Sequence, residues 1–280
     1  MLIATLFFSI MIALIKIAGQ RLNVTEILLV RQLTTISIAA PVIISNFPVS
    51  LHTAHPRLQL LRVIVAFFAM ILGCSAFIYL PFAEVTVIMF SKTFFVSILA
   101  VILLGEIVCV HRWGAIIVGF FGVLIIAWPD TTNILSIYTL MAIASSACVA
   151  AVIIILRVLS QADKPVTIMT YQALGVGLLM VVPAMYYWKA PTVIEIVILA
   201  SIGIFSTLGQ YFNILSLSVS EASFVGSFDY ARLVYSSVLG FLIFNEWPEQ
   251  KALWGAVLII GAAAYTLYRE RVKDKDLKIG

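Results

Sequence analysis

The sequence predicts an all-α integral membrane protein with ten transmembrane helices arranged as two inverted five-helix repeats. Three observations carry that prediction. The 280-residue chain is 63% hydrophobic and only 11% charged. Its apolar residues gather into ten runs of membrane-spanning length, and motifs of the first half recur in the second. Soluble domains average about 45–50% apolar and about 25% charged residues, and a mean hydropathy of +1.14 lies far from that range. At roughly 20 residues per span, ten spans take about 200 positions and leave about eight per connection. No separate soluble domain fits, which sets aside soluble hydrolases, nucleic-acid binders and disulfide-stapled secreted modules.

The runs cover residues 1–18, 26–45, 59–79, 84–104, 112–128, 135–157, 166–187, 192–215, 221–244 and 248–268. The first has no basic leader and no small-residue cleavage site, so it reads as a membrane helix and not a signal peptide. Prolines mark the connections: Pro48 and Pro56 after the second run, Pro81 after the third, then Pro129, Pro165, Pro191 and Pro248. Only Pro41 and Pro183 fall inside runs, near their ends.

Basic residues set the orientation. With the N-terminus inside, the inner face holds Arg57, Arg62, Arg112, Arg157, Lys164, Arg269, Arg271, Lys273, Lys275 and Lys278, ten in all. The outer face holds four: Lys16, Arg21, Lys189 and Lys251. Both termini are therefore expected in the cytoplasm, with residues 269–280 a basic tail against the membrane. The net charge of +4 is scattered between apolar runs and points to the bilayer, not to a nucleic acid.

The repeat is visible in single residues. Ala83-Glu84, Leu104-Gly105-Glu106 and Trp113-Gly114-Ala115 are echoed by Ser220-Glu221, Phe244-Asn245-Glu246 and Trp254-Gly255-Ala256. An odd number of helices per half turns the second half upside down, a design common among secondary transporters. The halves are residues 1–130 and 131–268.

The stretch Leu80-Pro81-Phe82-Ala83-Glu84-Val85-Thr86, followed by Phe90-Ser91-Lys92-Thr93-Phe94-Phe95 and Leu103-Leu104-Gly105-Glu106, resembles the fourth-helix signature of the drug/metabolite transporter superfamily, EamA-domain family. Arg112-Trp113 through Gly119-Phe120-Phe121-Gly122-Val123 to Pro129 is similar too. Phe228-Asp229-Tyr230-Ala231-Arg232-Leu233 to Phe244-Asn245-Glu246-Trp247-Pro248 resembles the ninth-helix signature. The likeness runs from Glu26 to Tyr268. It implies ten helices in two EamA repeats and movement of small metabolites, with no single substrate. Two departures stand out: Thr93 occupies a place where members often carry proline, and the N-terminal segment is shorter than in most.

A charge at the bilayer centre costs about 2.5–3.5 kcal/mol even on the lenient insertion scale, so it faces a cavity or a partner. Lys92 lies well inside the fourth run, and its helical neighbours Ile88, Met89, Phe95 and Val96 offer it no partner. Asp229 and Arg232 share one face of the ninth run. Lys92 follows Glu84 by eight positions, as Asp229 follows Glu221. The repeat therefore sets Lys92 opposite Asp229, and the expected translocation site is a Lys92–Asp229–Arg232 charge cluster with Tyr230 and Ser91 beside it. The plain alternative is a static buried network that fixes helix packing. Arg31, Gln210, Tyr211 and Tyr171 are further candidate substrate contacts; Gln172 and Asn213 share those helices. Arg31, some five residues into its run, could instead reach the outer headgroups, the others could serve helix packing through interhelical bonds, and Lys16 reads as an interface anchor. Glu84, Glu106, Glu221 and Glu246 sit at helix ends and read as caps or loop ion pairs.

There is no GxxxxGK[ST] and no HExxH motif. Cys74, Cys109 and Cys148 form no CxxC pair, and His52, His55 and His111 have no metal spacing. No catalytic centre, cofactor or metal is expected. The reading is a non-enzymatic secondary transporter of a small organic metabolite, best an amino acid or a derivative of one. It would work by alternating access in the bacterial inner membrane, as a monomer or weak homodimer. The alternatives are an accessory membrane subunit, or a membrane-embedded enzyme acting on a lipid.

Overall fold

The computed structural model describes residues 1–45, 52–104, 137–219 and 231–246, with short stretches between 114 and 125 and between 250 and 265. All the regular elements among the described residues are helices: α1 (Leu2–Ala18), α2 (Val24–Ser45), α3 (Pro56–Tyr79), α4 (Phe82–Met89), α5 (Lys92–Leu104), α6 (Ile137–Ala162), α7 (Pro165–Tyr186), α8 (Val193–Val219) and α9 (Ala231–Phe244). Five of them, α2, α3, α6, α7 and α8, are long and apolar enough to cross a membrane. The runs at 112–128 and 248–268 lie largely outside the described residues, although 253–258 are helical.

Local chemistry explains the ends. Pro56 and Pro165 open α3 and α7, where the missing N–H is no loss. Asn23 and Glu26 form a capping box at the start of α2: Asn23 Oδ1 accepts from Thr25 N–H at 3.0 Å, and Glu26 Oε2 from Asn23 N–H at 3.3 Å. Thr192 and Glu195 do the same for α8, with Thr192 N–H donating to Glu195 Oε2 at 2.7 Å. The helix α6 continues five residues beyond the expected 157, because a helix need not stop where the apolar run does. It ends at Ala162, before Asp163, Lys164 and Pro165.

The run at 84–104 is not one continuous helix. It breaks at Phe90–Ser91, where N–H groups bond three residues back: Phe90 to Val87 at 3.0 Å and Ser91 to Ile88 at 2.9 Å. Such bonds tighten the chain out of α geometry. The break forms without a proline, since Thr93 stands where one is often found.

In the bundle α1 packs on α8 and α3 on α6, while α2 packs on α7 and α4 on α9. Met11, Ile12, Ile15, Ile27, Phe77, Phe82, Val85, Ile88 and Ile202 are in one core cluster. Leu178, Val182, Met185, Val193, Ile194 and Leu242 are exposed, the outward apolar surface that a lipid-embedded bundle needs.

Candidate functional site

Polar side chains gather at mid-length in the bundle. Ser91, buried at the α4–α5 break, exchanges a 2.7 Å hydrogen bond with Ser146 on α6, whose hydroxyl also reaches Ile143 carbonyl at 2.7 Å. Lys92 opens α5, half-buried, with its ammonium 5.8 Å from the centroid of the Phe90 ring. Arg232, near the start of α9, is also half-buried and holds its guanidinium 5.7 Å from the Phe8 ring of α1. Both distances fall in the cation–π range. Asp229 and Tyr230 lie outside the described residues, and with them the expected pairing of Lys92 with Asp229.

Arg31 lies inside the bundle. It is only 6% exposed, and its Nε donates to Ser206 Oγ of α8 at 2.5 Å. One turn further, Thr35 and Thr207 hydroxyls bond at 2.9 Å, so α2 and α8 are tied twice at the same crossing. Gly203 makes that approach possible, because a Cβ there would stand 2.3 Å from Thr34 Cβ.

A second polar group links α3, α7 and α8. Arg62, counted by sequence among the inner-face charges, is 1% exposed and lies inside the bundle. Its Nη1 donates to Ile168 carbonyl at 2.9 Å and its Nη2 to Gln172 Oε1. Gln210 Nε2 donates to the same Gln172 oxygen at 2.8 Å. Gln210 and Gln172 are thus brought together. Tyr171, their neighbour, is half-buried, whereas Tyr211 is 41% exposed with its ring edge-on to Phe212 at 5.8 Å. Arg62 was not among the expected contacts, because a basic residue six positions from a proline looks like a loop charge.

The helix ends are closed by ions. Lys16 pairs with Glu246 Oε1 at 2.5 Å and donates to Leu80 carbonyl at 3.1 Å. Glu246 Oε2 accepts from Phe82 N–H at 2.8 Å, so the glutamate is both a cap and a loop ion pair. On the same side Arg21 grips Glu195 through Nε at 2.6 Å and Nη2 at 2.5 Å, and Glu26 accepts from Lys189 N–H. Glu195 holds the exposed Arg21 guanidinium above its usual pKa by that hydrogen bond. Asp163, between α6 and α7, accepts from Thr53 at 2.5 Å, Ala54 N–H at 3.0 Å and Gln59 at 2.9 Å. Burial pushes its carboxyl up, but these hydrogen bonds together hold it below the usual range.

No group of three His, Cys, Asp or Glu suited to a metal is found among the described residues. The arrangement offers charged and hydrogen-bonding groups inside an apolar bundle, which suits recognition of a polar molecule.

Residues 136–268 match the EamA-like transporter family. The chain is 29% identical over 258 residues to the S-adenosylmethionine uptake transporter of Rickettsia bellii, covering 91% of this chain and 88% of that one. It is 28% identical over 282 residues to the riboflavin transporter of Vibrio cholerae, at 98% and 94% coverage. It is 26% identical over 262 residues to the pseudopaline exporter CntI of Pseudomonas aeruginosa, at 93% and 92%. A solved crystal structure of a protein, 17% identical, covers 96% of this chain and 98% of its own with a TM-score of 0.65, a likeness of fold. The resemblance read from the motifs therefore holds.

Proposed function

We propose that this chain, an EamA-like transporter domain over residues 136–268 and similar along most of its length to metabolite transporters, carries an amino-acid derivative across the bacterial inner membrane by alternating access. S-adenosylmethionine is the first candidate, because it joins an α-carboxylate and an ammonium to a nucleoside, and the expected cluster of Lys92, Arg232 and Asp229 carries both signs of charge. The observation that carries this reading is the set of charged groups, Arg31, Lys92 and Arg232, buried or half-buried in an apolar bundle of transporter-like sequence. Charges are kept in such a place for a polar cargo or a partner.

Two five-helix halves, 1–130 and 131–268, are the moving parts. Exchanging the halves maps the α1–α8 contact onto α6–α3, and leaves α2–α7 and α4–α9 each mapped onto itself, which supports the duplication. Lys92, Ser91 and Arg232 would then flank the α4–α9 seam, and Asp229 and Tyr230 are the sequence neighbours of Arg232. Both termini face the cytoplasm in this reading, and the chain works as a monomer or weak homodimer with no catalytic step.

The test is counterflow into proteoliposomes with labelled S-adenosylmethionine, methionine and riboflavin. Accumulation of S-adenosylmethionine, lost in Asp229→Asn and Lys92→Ala, is the expected result. No accumulation from any of the three would overturn the reading. Accumulation that survives both substitutions would keep transport and reduce the cluster to a packing device.

A further inference from the structure

We infer that Arg31 is the receptor for the carboxylate of the transported metabolite, an inference that rests on the transport reading above. Arg31 is the eighth residue of α2, roughly 10 Å from its start at 1.5 Å per residue. It is only 6% exposed. Of its three guanidinium nitrogens, Nε alone has a hydrogen-bond partner among the described residues, the Ser206 hydroxyl. No ion pair reaches it among the described residues. Glu26, Asp163, Glu195 and Glu246 are all engaged at the ends of helices.

A guanidinium is a planar fork of five donors that fits a carboxylate with two parallel bonds. Arg62 shows the converse in this bundle: both of its terminal nitrogens end on acceptors, Ile168 carbonyl and the Gln172 amide oxygen, while its buried Nε has no partner among the described residues. Arg31 has the opposite arrangement. Its inner nitrogen is pinned and its terminal pair is left over. Pinning Nε to Ser206, beside the Thr35–Thr207 bond, fixes the plane of the fork and leaves the edge that an oxyanion would take. A buried cation with donors left over needs an anion to stabilise it. The cargo supplies that anion when bound.

The same reasoning selects among cargo classes. S-adenosylmethionine and other amino-acid derivatives bring a carboxylate, whereas riboflavin brings none. Arg31 therefore favours the former. The role is recognition, not proton transfer, because a guanidinium stays charged throughout.

The experiment compares cargo with and without the carboxylate in the full-length protein in proteoliposomes. The pairs are S-adenosylmethionine with its decarboxylated form and methionine with its methyl ester, alongside riboflavin. In the unmodified protein, loss of the carboxylate is expected to weaken apparent affinity at least about tenfold, the scale of a charge-assisted hydrogen bond. This comparison needs no variant. In Arg31→Gln the same chemical change is expected to matter less than about threefold, since the group it addresses is gone. Arg31→Lys, which keeps the charge and the volume but not the fork, is expected to fall between the two.

Equal affinity for both members of a pair in the unmodified protein would overturn the inference, as would an undiminished difference in Arg31→Gln. So would transport of riboflavin alone. Recovery of transport in an Arg31→Gln/Asp229→Asn double variant would also overturn it, by making Asp229 the counter-charge. Each of these leaves transport standing. Failure of every probe to accumulate in the unmodified protein would instead sink the transport reading, and this inference with it.

Discussion

Lys16 and Glu246 stand 230 positions apart and meet at 2.5 Å, at the end of the bundle where α1, α3, α4 and α9 converge. Beneath them Phe82 stacks on Phe244 with centroids 6.1 Å apart, and Phe77 leans on Phe82 at 5.5 Å. Asn245, at φ 54°, lets the chain turn out of α9 so that Glu246 points back at Lys16 and at the Phe82 amide. Asparagine is one of the few residues that visit this left-handed region readily. The α4–α9 seam is thus shut at this end by an ion pair over an aromatic layer.

The seam gives the first prediction. Glu246→Gln keeps an acceptor for the Phe82 amide but removes the charge on Lys16, so it is expected to loosen the closed end without unfolding the bundle. A cysteine placed at Phe244 should then react severalfold faster with a membrane-impermeant maleimide. An unchanged rate would mean that the aromatic layer alone keeps the seam shut. Lys16→Met in the same background should have the same effect, because either change deletes one pair.

Asp163 makes a pH prediction. Its carboxyl is held below the ordinary value of 3.8 in the folded protein, so the unfolded chain binds the proton more readily. The stabilisation is therefore fully present above that value and disappears as pH falls through the lower folded one. Melting in detergent should separate the unmodified protein from Asp163→Asn by a constant interval from pH 8 to pH 5. The interval should narrow only below about pH 4. An interval that already closed above pH 5 would show that the aspartate is not the titrating group.

The Arg62 network predicts an order of damage. Gln172 Oε1 accepts from both Arg62 and Gln210. Gln172→Leu strips an acceptor from a buried cation and leaves the Gln210 amide without its bond, a loss of about 3 kcal/mol by the measure of broken buried charge contacts. Gln210→Leu removes one donor and is expected to cost about 1 kcal/mol. Melting temperatures should fall in that order. Equal losses would mean that the Arg62–Gln172 bond adds nothing beyond the bond to Ile168 carbonyl.

How much of this was legible depended on sequence distance. Helix starts were readable where Pro56 and Pro165 announce them within one residue of the turn. The break at Phe90–Ser91 was not, because it arises from hydrogen bonding over three residues with no proline or glycine to signal it. Lys92 and Arg232 were legible as charges inside apolar runs, but the rings of Phe90 and Phe8 that receive them were not, since aromatic residues are everywhere in this chain. Arg31 was found by the same signal as a candidate contact, with the outer headgroups as its alternative. Its partner Ser206 lies 175 positions away on α8, a distance that no local pattern spans.

That long-range crossing supplies the last prediction. An added Cβ at Gly203 would stand 2.3 Å from Thr34 Cβ and 2.6 Å from its methyl, closer than any side-chain contact tolerates. Neither atom is the end of a flexible side chain, so α2 and α8 must separate. Separation stretches the Arg31–Ser206 and Thr35–Thr207 bonds, both already formed at 2.5 and 2.9 Å. Gly203→Ala is therefore expected to destabilise the protein by about 1–3 kcal/mol, the usual range for overpacking. Transport should fall with it, because the Arg31 fork loses its anchor. Thr34→Gly removes the opposing Cβ and should restore both melting temperature and transport in the Gly203→Ala background. Restored stability without restored transport would separate the packing of α2 on α8 from the orientation of Arg31. A Gly203→Ala protein that melts and transports normally would show that the two helices have slack that the close approach conceals.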